Sequence, residues 1–183
     1  MNKIILDLCG GTGAWSKPYK DAGYDVRVIT LPDDDVRLYI PPDNVYGILA
    51  APPCTEFAVS GARWWKGKGD KALLEGLSSV DACLRIIYVS KPKFWALENP
   101  VGRLSRYIGK PQMYFNPCDY GDPYTKKTGL WGKFVPPMKT PVEPEFITYK
   151  SGKRFAPNYG WTTSKGRSMT PPGFANAFFK ANK

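Results

Sequence analysis

Short apolar runs and turns alternate along the first 50 residues in an order that restricts the fold more than any other feature of the chain. KIILDL is a run of strand-forming residues ending at Asp7, and the glycine turn CGGTGAW and the short helical segment SKPYKDAGY follow it. DVRVIT and VYGILA are two further strands, separated by the acidic turn LPDDDVRLY. This order predicts the beginning of a parallel sheet in an α/β domain.

The middle of the chain contains the clearest helical pattern. Asp70 is a plausible N-cap for this helix, and Pro92 would end it. Between them, apolar side chains recur at spacings of three and four, which are Leu73, Leu77, Val80, Leu84 and Ile87. KFWALENP is then predicted as a buried strand. Its polar residues Glu98 and Asn99 come at the carboxyl end, where open α/β sheets place their ligands.

The sequence pattern changes in the last third of the chain. QMYFNPCDYGDPYTKKTGLWGKF indicates an antiparallel hairpin at one edge of the sheet, and residues 134–166 indicate loop with at most one further hairpin. TPPGFANAFFKANK predicts a final helix with Thr170 as N-cap and an aromatic face. With 183 residues the chain suffices for one domain and is too short for two, so we expect a single domain over residues 1–183.

Charge and composition narrow the classes of function. Lys and Arg number 26 against 16 Asp and Glu, a net charge of +10 that favours either a polyanionic partner, nucleic acid first, or simple solubility. Histidine is absent, which excludes histidine triads and histidine metal sites. The four cysteines form no CxxC pair, so no metal site or disulfide framework is expected. No segment resembles a signal peptide or membrane span, and we expect a cytoplasmic protein without a membrane partner.

Cys54 stands on the double-proline turn of APPCTEFAVSG, before the basic segment ARWWKGKGDK. Alone it would more often be structural, but Glu98 ends the next predicted strand, and adjacent parallel strands would bring both side chains to one edge. A thiolate can add to C6 of a pyrimidine while a carboxylic acid bonds N3 and the exocyclic amine. C5 then becomes a nucleophile that can take up an electrophilic methyl group.

The glycine turn at residues 10–13 would let the backbone approach a ligand at a helix start, although a plain tight turn explains it equally well. It departs from GxGxxG, and Thr30 stands where an acidic residue would hold a ribose. Asp35 could accept a hydrogen bond from an exocyclic amine such as that of adenine. Asp33 and Asp34 are interpreted as a solvated turn.

Taken in order, these motifs resemble the DNA cytosine-5 methyltransferases that use S-adenosylmethionine. LDLCGGTGAW is similar to the family's cofactor motif, APPCTEFAVSG to its PCQ nucleophile motif, ALENP to ENV, YGDPYTKKTGLWG to YGxPQxRxR, and TPPGFANAF to the closing motif. The resemblance covers residues 4–132 and 167–179. It implies a Rossmann-like S-adenosylmethionine-dependent methyltransferase fold, with a mostly parallel sheet.

Carried over to this sequence, the resemblance makes Cys54 the nucleophile and Glu98 the acid that holds a cytosine flipped out of double-stranded DNA. The residues implied on the cofactor side are Asp7, Gly10, Gly11, Thr12, Gly13, Asp35, Pro52, Gly173 and Phe174. GARWWKGKGDKALLEG is similar to the mobile catalytic loop, with Trp64 or Trp65 as a wedge. The implied DNA contacts are Arg63, Trp64, Lys66, Lys68, Asn99, Lys126 and Lys127, against the alternatives of a solvated loop and core packing.

The departures from the family pattern matter for specificity. Lys126 and Lys127 replace arginines and lose forked hydrogen bonding, and ENP replaces ENV. Residues 134–166 are too few for the separate target-recognition domain that the family inserts there. We therefore expect a minimal monomer, of phage or mobile-element origin, whose sequence choice is relaxed or supplied by a partner protein.

Two other readings stay open at this point. One is methylation of an amino group, N4 of cytosine or N6 of adenine, for which Cys54 would be dispensable. The other is a non-catalytic nucleic-acid-binding module on a methyltransferase fold, against which the presence of both Cys54 and Glu98 speaks.

Overall fold

A computed structural model of the chain describes residues 3–148, 150, 152, 154–155, 163, 166 and 168–183. The strands are β1 Ile4–Leu8, β2 Asp25–Ile29, β3 Val45–Ala50, β4 Phe94–Pro100, β5 Met113–Phe115, β6 Thr128–Lys133, β7 Ile147–Thr148 and β8 Arg154–Phe155. The helices are α1 Lys17–Asp21, α2 Ala62–Ser90, α3 Ser105–Ile108 and α4 Pro172–Ala181.

Six strands form one sheet in the order β2-β1-β3-β4-β6-β5. The first four are parallel, and β6 runs antiparallel to both β4 and β5. The predicted α/β class with an antiparallel hairpin at one edge is confirmed. The connection between β5 and β6 is longer than a tight turn, because it includes a 3₁₀ turn at Pro117–Tyr120.

The register aligns the carboxyl ends of the parallel strands. Leu8 pairs with Ile29 on one side and with Ala50 on the other, and Ala50 pairs with Leu97. Residues that follow these four positions therefore emerge along one edge of the sheet. Glu98 and the turn containing Cys54 both lie at this edge.

Each face of the sheet is covered by its own apolar cluster. On one face Leu6, Ile48 and Leu97 pack against Cys83 and Ile86 of α2. On the other face α1, the turn before it and α4 cover the sheet with aromatic side chains, which are Trp15, Tyr19, Phe174 and Phe178. Since side chains alternate along a strand, Asp7 and Glu98 are directed toward the aromatic face and Asn99 toward α2.

Helix α2 is longer than the sequence pattern predicts. Its second half follows Asp70 as expected, but Ala62–Lys68, interpreted from sequence as a loop, is also helical. Gly69 breaks the helix between the halves with φ 68° and ψ −171°, in the left-handed region that glycine tolerates. The prediction of a loop over this basic segment was wrong because Ala, Arg, Trp and Lys are compatible with a helix, and only Gly69 stops it.

The final segments largely follow the prediction. Helix α4 takes Pro171, not Thr170, as its N-cap residue. Strands β7 and β8 pair as a hairpin within residues 134–166, while much of 149–167 lies outside the described residues. Among the described helices, none is both long and apolar enough to cross a membrane.

Candidate active site at the carboxyl edge of the sheet

The glycine turn after β1 is held by a close approach to Asp7. A Cβ on Gly10 would collide with the Asp7 carboxylate, so this position accepts only glycine without rearrangement. Gly11 and Gly13 have φ of 55° and 70°, and the amide of Gly13 donates to the carbonyl of Gly10 at 2.9 Å. The sequence therefore forms a tight turn with its backbone at the sheet edge.

Asp7 lies beneath this turn and is fully buried. Its Oδ2 accepts a 2.5 Å hydrogen bond from the hydroxyl of Ser16, while Oδ1 has no hydrogen-bond partner. Burial raises the pKa of Asp7 to about 6, and the bond from Ser16 opposes that rise. The structure thus places Asp7 as a support of the turn, and any effect on a cofactor would act through the turn's backbone.

A cavity of about 880 Å³ opens between the carboxyl ends of β1, β2 and β3 and the side of α2. Its lining combines apolar side chains with acids and reaches the nucleophile turn; it includes Cys9, Ile29, Leu31, Asp34, Asp35, Val36, Pro53, Cys54, Glu56 and Glu75. The volume lies in the range of small-molecule sites, and this is the edge where open α/β sheets bind ligands. The volume suffices for an adenosine-sized ligand, and Arg37 lies among the acids of the lining.

Asp35, predicted on the cofactor side, lines the cavity but is already paired. Its carboxylate accepts from the Arg37 guanidinium at 2.6 Å and 2.9 Å, and Arg37 also pairs with Glu75 of α2. The hydrogen bonds from Arg37 lower the pKa of Asp35. Asp35 is therefore an ionised acceptor at the rim of the cavity, held in place by an arginine.

The turn containing Cys54 is fixed by backbone contacts with the loop after β4. The carbonyl of Cys54 accepts from the amides of Phe57 and Ala58 at 2.9 Å, and the amide of Val59 donates to the carbonyl of Val101 at 2.9 Å. Gly102 faces this turn so closely that a Cβ there would collide with the carbonyl of Phe57. The half-buried Cys54 thiol consequently stands at a defined position beside the end of β4.

Glu98 lies buried at the same edge, next to Cys54 and Lys126. The ammonium of Lys126 is 3.8 Å from Oε1 of Glu98. Burial raises the pKa of Glu98, and Lys126 lowers it. Burial likewise raises the pKa of the Cys54 thiol, the charge of Glu98 raises it further, and Lys126 lowers it. The structure thus brings together the thiol and the carboxyl group whose proximity the sequence predicts.

Asn99 and Pro52, predicted to contact DNA and cofactor, instead contact each other. Asn99 is fully buried, and its amide nitrogen donates to the carbonyl of Pro52 at 3.0 Å. Pro52 is buried while Pro53 is exposed and lines the cavity. In this structure Asn99 ties the end of β4 to the nucleophile turn and has no surface to offer DNA.

Gly173 and Phe174, predicted from the closing motif to contact the cofactor, lie against other parts of the protein. The amide of Gly173 donates to Asp122 at 2.8 Å, and a Cβ there would collide with the carbonyl of Tyr120. The fully buried ring of Phe174 stacks on Phe115 at 3.9 Å between centroids. Phe174 contributes to the core, and its contact with a cofactor stays a prediction.

The predicted DNA-contacting residues on α2 lie at its exposed first half. The guanidinium of Arg63 lies 4.9 Å from the ring centroid of Trp64, which is 58% exposed. Lys66 is exposed, whereas Lys68 forms a 2.6 Å ion pair with Glu56. On the other side of the site, the exposed Lys127 follows Lys126 directly. Cationic groups therefore flank the Cys54 and Glu98 pair.

Two features of the site were not predicted from sequence. Arg103 donates from Nε to the carbonyl of Glu56 at 2.6 Å, and its guanidinium lies 4.5 Å from the ring centroid of Trp65. Tyr124 is buried near Glu98, and burial raises its pKa so that the phenol stays protonated. Trp65 thus packs inward, which leaves Trp64 as the exposed ring. Only the segment around Tyr124 carried a sequence signal, as part of YGDPYTKKT.

Comparison with solved structures identifies the class of fold. The fold matches the Entamoeba histolytica methyltransferase EhMeth with a TM-score of 0.51 and 12% identity, over 80% of this chain and 58% of that one. A protein described as a DNA modification methyltransferase encoded within an E. coli prophage gives a TM-score of 0.49 and 18% identity, over 78% and 53% of the two chains. The fold is that of the S-adenosylmethionine-dependent methyltransferases, as the sequence predicts.

The chain is also similar in sequence to a curated methyltransferase. It is 26% identical over 168 residues to the type II methyltransferase M.DdeI of Desulfomicrobium norvegicum. That match covers 67% of this chain, which spans 38% of the relative's length. No protein-family model matches the chain.

Proposed function

We propose that the chain transfers a methyl group from S-adenosylmethionine to C5 of cytosine in DNA through a covalent bond between Cys54 and C6 of the ring. The observation that carries this proposal is the meeting of the Cys54 thiol, the buried Glu98 carboxyl group and Lys126 at one edge of the sheet. A nucleophile beside a proton donor suits attack on an electron-poor pyrimidine.

Glu98 acts as the acid in this mechanism. Since burial raises its pKa, Glu98 can carry the proton that N3 of cytosine accepts as C6 is attacked. Its other oxygen accepts a hydrogen bond from the exocyclic amine. While Glu98 carries this proton it is neutral, so the negative charge that would raise the pKa of Cys54 is absent and the thiolate forms more readily.

Cys54 acts as the nucleophile and later as the leaving group. Its Sγ, after losing its proton to solvent, forms a bond to C6 while Glu98 protonates N3, and C5 becomes a carbon nucleophile. S-adenosylmethionine supplies an electrophilic methyl group to that carbon. Loss of the C5 proton to solvent then restores the ring double bond, breaks the bond between Sγ and C6, and returns the N3 proton to Glu98.

The residues that would hold the cofactor surround the cavity beside Cys54. The backbone of the glycine turn, Gly10 to Gly13, approaches from the end of β1, and Asp35 accepts from the amine of the adenine ring. Asp7 supports the turn from beneath, and the aromatic residues of α4 hold the opposite face.

DNA contacts are proposed for the exposed cationic side chains beside the site, which are Arg63, Lys66 and Lys127, with Lys126 closest to the base. Lys68 would contribute only after its ion pair with Glu56 opens. Residues 134–166 are too few for a separate recognition domain at that place in the chain, so we propose relaxed sequence preference or a partner protein. We propose an intracellular, phage-like setting for this activity.

Product identification tests the proposal. The protein is incubated with DNA and S-adenosylmethionine labelled with tritium in its methyl group, and the DNA is digested to nucleosides. We expect 5-methylcytosine from the wild type and from Cys118→Ala, a control cysteine away from the site, and none from Cys54→Ala. N4-methylcytosine or N6-methyladenine persisting in Cys54→Ala would establish an amino methyltransferase. DNA binding without any methyl transfer would establish a binding module.

A further inference from the structure

Three large aromatic side chains stand exposed on segments that adjoin the carboxyl edge of the sheet. Trp64 of α2 is 58% exposed, and Tyr107 of α3 and Tyr114 of β5 are each 45% exposed. Other exposed rings lie on other segments, such as Tyr88 near the end of α2 and Phe146 before β7. Trp64 and Tyr114 each have a cation beside the ring, which suggests a common ligand.

Trp64 lies on the nucleophile side of this edge. Helix α2 starts directly after the turn Val59–Gly61, which is hydrogen-bonded to the loop following β4. The guanidinium of Arg63 lies 4.9 Å from the Trp64 ring centroid, and the neighbouring Trp65 packs against Arg103. Trp64 is therefore held on a rigid helical turn with its ring outward and a cation beside it.

Tyr114 lies on β5 in line with Gly129 and Asn99, so its ring is on the same face of the sheet as Asn99 and α2. It pairs across the sheet with Gly129, a residue with no side chain to cover its ring. The ammonium of Lys127 lies 5.3 Å from the Tyr114 ring centroid, and the preceding Lys126 approaches Glu98. The Tyr114 ring and Lys127 are therefore connected, through the adjacent Lys126, to Glu98, the proposed base-binding acid.

Tyr107 lies between these two pairs along the chain. Helix α3 follows the loop that binds the nucleophile turn, and it exposes Arg106 beside Tyr107. The same segments carry exposed cations, which are Arg63, Lys66, Arg106, Lys110 and Lys127. Aromatic rings alternating with cations along a path are the pattern by which proteins bind single-stranded nucleic acid.

An intact duplex cannot use these rings well. Its bases are stacked on one another and their faces are hidden, so exposed aromatic side chains gain little except by insertion at a step that the protein unstacks. In an unpaired strand every base offers a free face, and stacking on an aromatic ring contributes about 1–3 kcal/mol per base. The arrangement of three rings favours the unpaired strand.

We propose that the preferred substrate is single-stranded DNA, whose bases on either side of the target cytosine stack on Trp64 and Tyr114. This inference rests on the proposed function for the position of the target base. An unpaired cytosine reaches Cys54 and Glu98 without the free-energy cost of flipping from a duplex.

Binding alone tests this proposal, so its outcome is independent of methyl transfer. Fluorescein-labelled DNA strands of about 12 nucleotides, a length that spans one single-strand site, are titrated without cofactor at about 50 mM salt. The same sequence is then titrated as duplex and as RNA. We expect the single DNA strand to bind about tenfold or more tightly than the duplex.

Substitutions at Trp64 and Tyr114 test whether these two rings bind the single strand. Trp64→Ala and Tyr114→Ala should each weaken single-strand binding about tenfold, with little change for the duplex. Trp64→Phe and Tyr114→Phe should retain binding, and Trp64→Phe should lose the tryptophan fluorescence quenching caused by stacking. Tyr88→Ala is the matched control, because Tyr88 is 82% exposed near the other end of α2.

Three results would overturn the proposal. The first is duplex binding as tight as, or tighter than, single-strand binding. The second is a loss in Trp64→Ala confined to the duplex, which would make Trp64 a wedge between base pairs. The third is tighter binding of the RNA strand than of the DNA strand.

Discussion

Lys126 and Glu98 form an ion pair between a half-buried and a buried side chain, with the lysine ammonium 3.8 Å from Oε1 of the glutamate. Glu98 is 7% exposed, while Lys126 reaches the site from the loop before β6. The lysine lowers the pKa of both Glu98 and Cys54, and Glu98 raises that of Cys54. The two partners therefore act in opposite directions on the nucleophile.

This opposition predicts the pH dependence of Cys54 reactivity. Lys126→Met removes a positive charge that favours the thiolate, so the midpoint of Cys54 alkylation by iodoacetamide should move to higher pH. Glu98→Gln removes a negative charge that disfavours it, so the midpoint should move to lower pH. Alkylation is followed at the Cys54 peptide by mass spectrometry.

Lys127→Met is the control for this experiment, because Lys127 lies over the ring of Tyr114 and not at Glu98. Its alkylation midpoint should equal that of the wild type. Shifts of Lys126→Met and Glu98→Gln in the same direction would contradict the assigned geometry.

The buried carboxyl group of Asp7 predicts a pH-dependent stability. Because burial raises its folded pKa to about 6, the unfolded chain releases this proton at lower pH, and stability falls as pH rises toward 6. Asp7→Asn removes this effect. The variant's free energy of unfolding relative to wild type should rise by on the order of 1 kcal/mol between pH 5 and pH 8.

Urea unfolding at both pH values measures the difference, and Asp33→Asn in the exposed acidic turn serves as the control. An equal difference between Asp7→Asn and wild type at both pH values would show that Asp7 does not titrate in this range.

Two glycines in different surroundings should respond oppositely to alanine. Gly10→Ala places a methyl group against the Asp7 carboxylate and should lower the free energy of unfolding by about 1–3 kcal/mol. Gly67 lies in α2 with open space around its Cα, so Gly67→Ala should raise it by about 0.5–1 kcal/mol. If Gly10→Ala proves neutral in urea unfolding, the turn is looser than the structure indicates.

A substitution at Phe174 distinguishes a role in core packing from a role in cofactor binding. Its ring is fully buried between Phe115, Tyr120 and Trp15, so Phe174→Ala should lower the free energy of unfolding by about 3–5 kcal/mol. Calorimetric titration with S-adenosylmethionine measures cofactor affinity in the folded fraction. A large loss of affinity without loss of stability would favour the contact predicted from the closing motif.

Much of the fold follows from sequence because its strands are short, apolar and bounded by turns. The parallel order of β1 to β4 and the position of Glu98 at the end of β4 are set by the chain order and by the pairing of Ala50 with Leu97. Where the local sequence pattern is this strong, the predicted element and the observed element agree.

The predictions from sequence fail where tertiary contacts determine the local structure. The basic segment before Gly69 reads as a loop because its glycines and lysines carry no apolar period, yet Trp65 packs on Arg103 and the segment is helical. Asn99 follows Glu98 at the sheet edge, but strand alternation turns it inward to Pro52. No sequence pattern shows which of two adjacent polar residues faces the site.

Covalent trapping tests the central claim most directly. DNA containing 5-fluorocytosine, as single strand and as duplex, is incubated with the protein and S-adenosylmethionine, and the denatured mixture is examined by intact mass and peptide mapping. Fluorine at C5 cannot leave as a cation, so the bond between Cys54 and C6 should persist. We predict an adduct at Cys54 that carries the transferred methyl group and is lost in Cys54→Ser. Methyl transfer without an adduct, or an adduct at another cysteine, would contradict the mechanism.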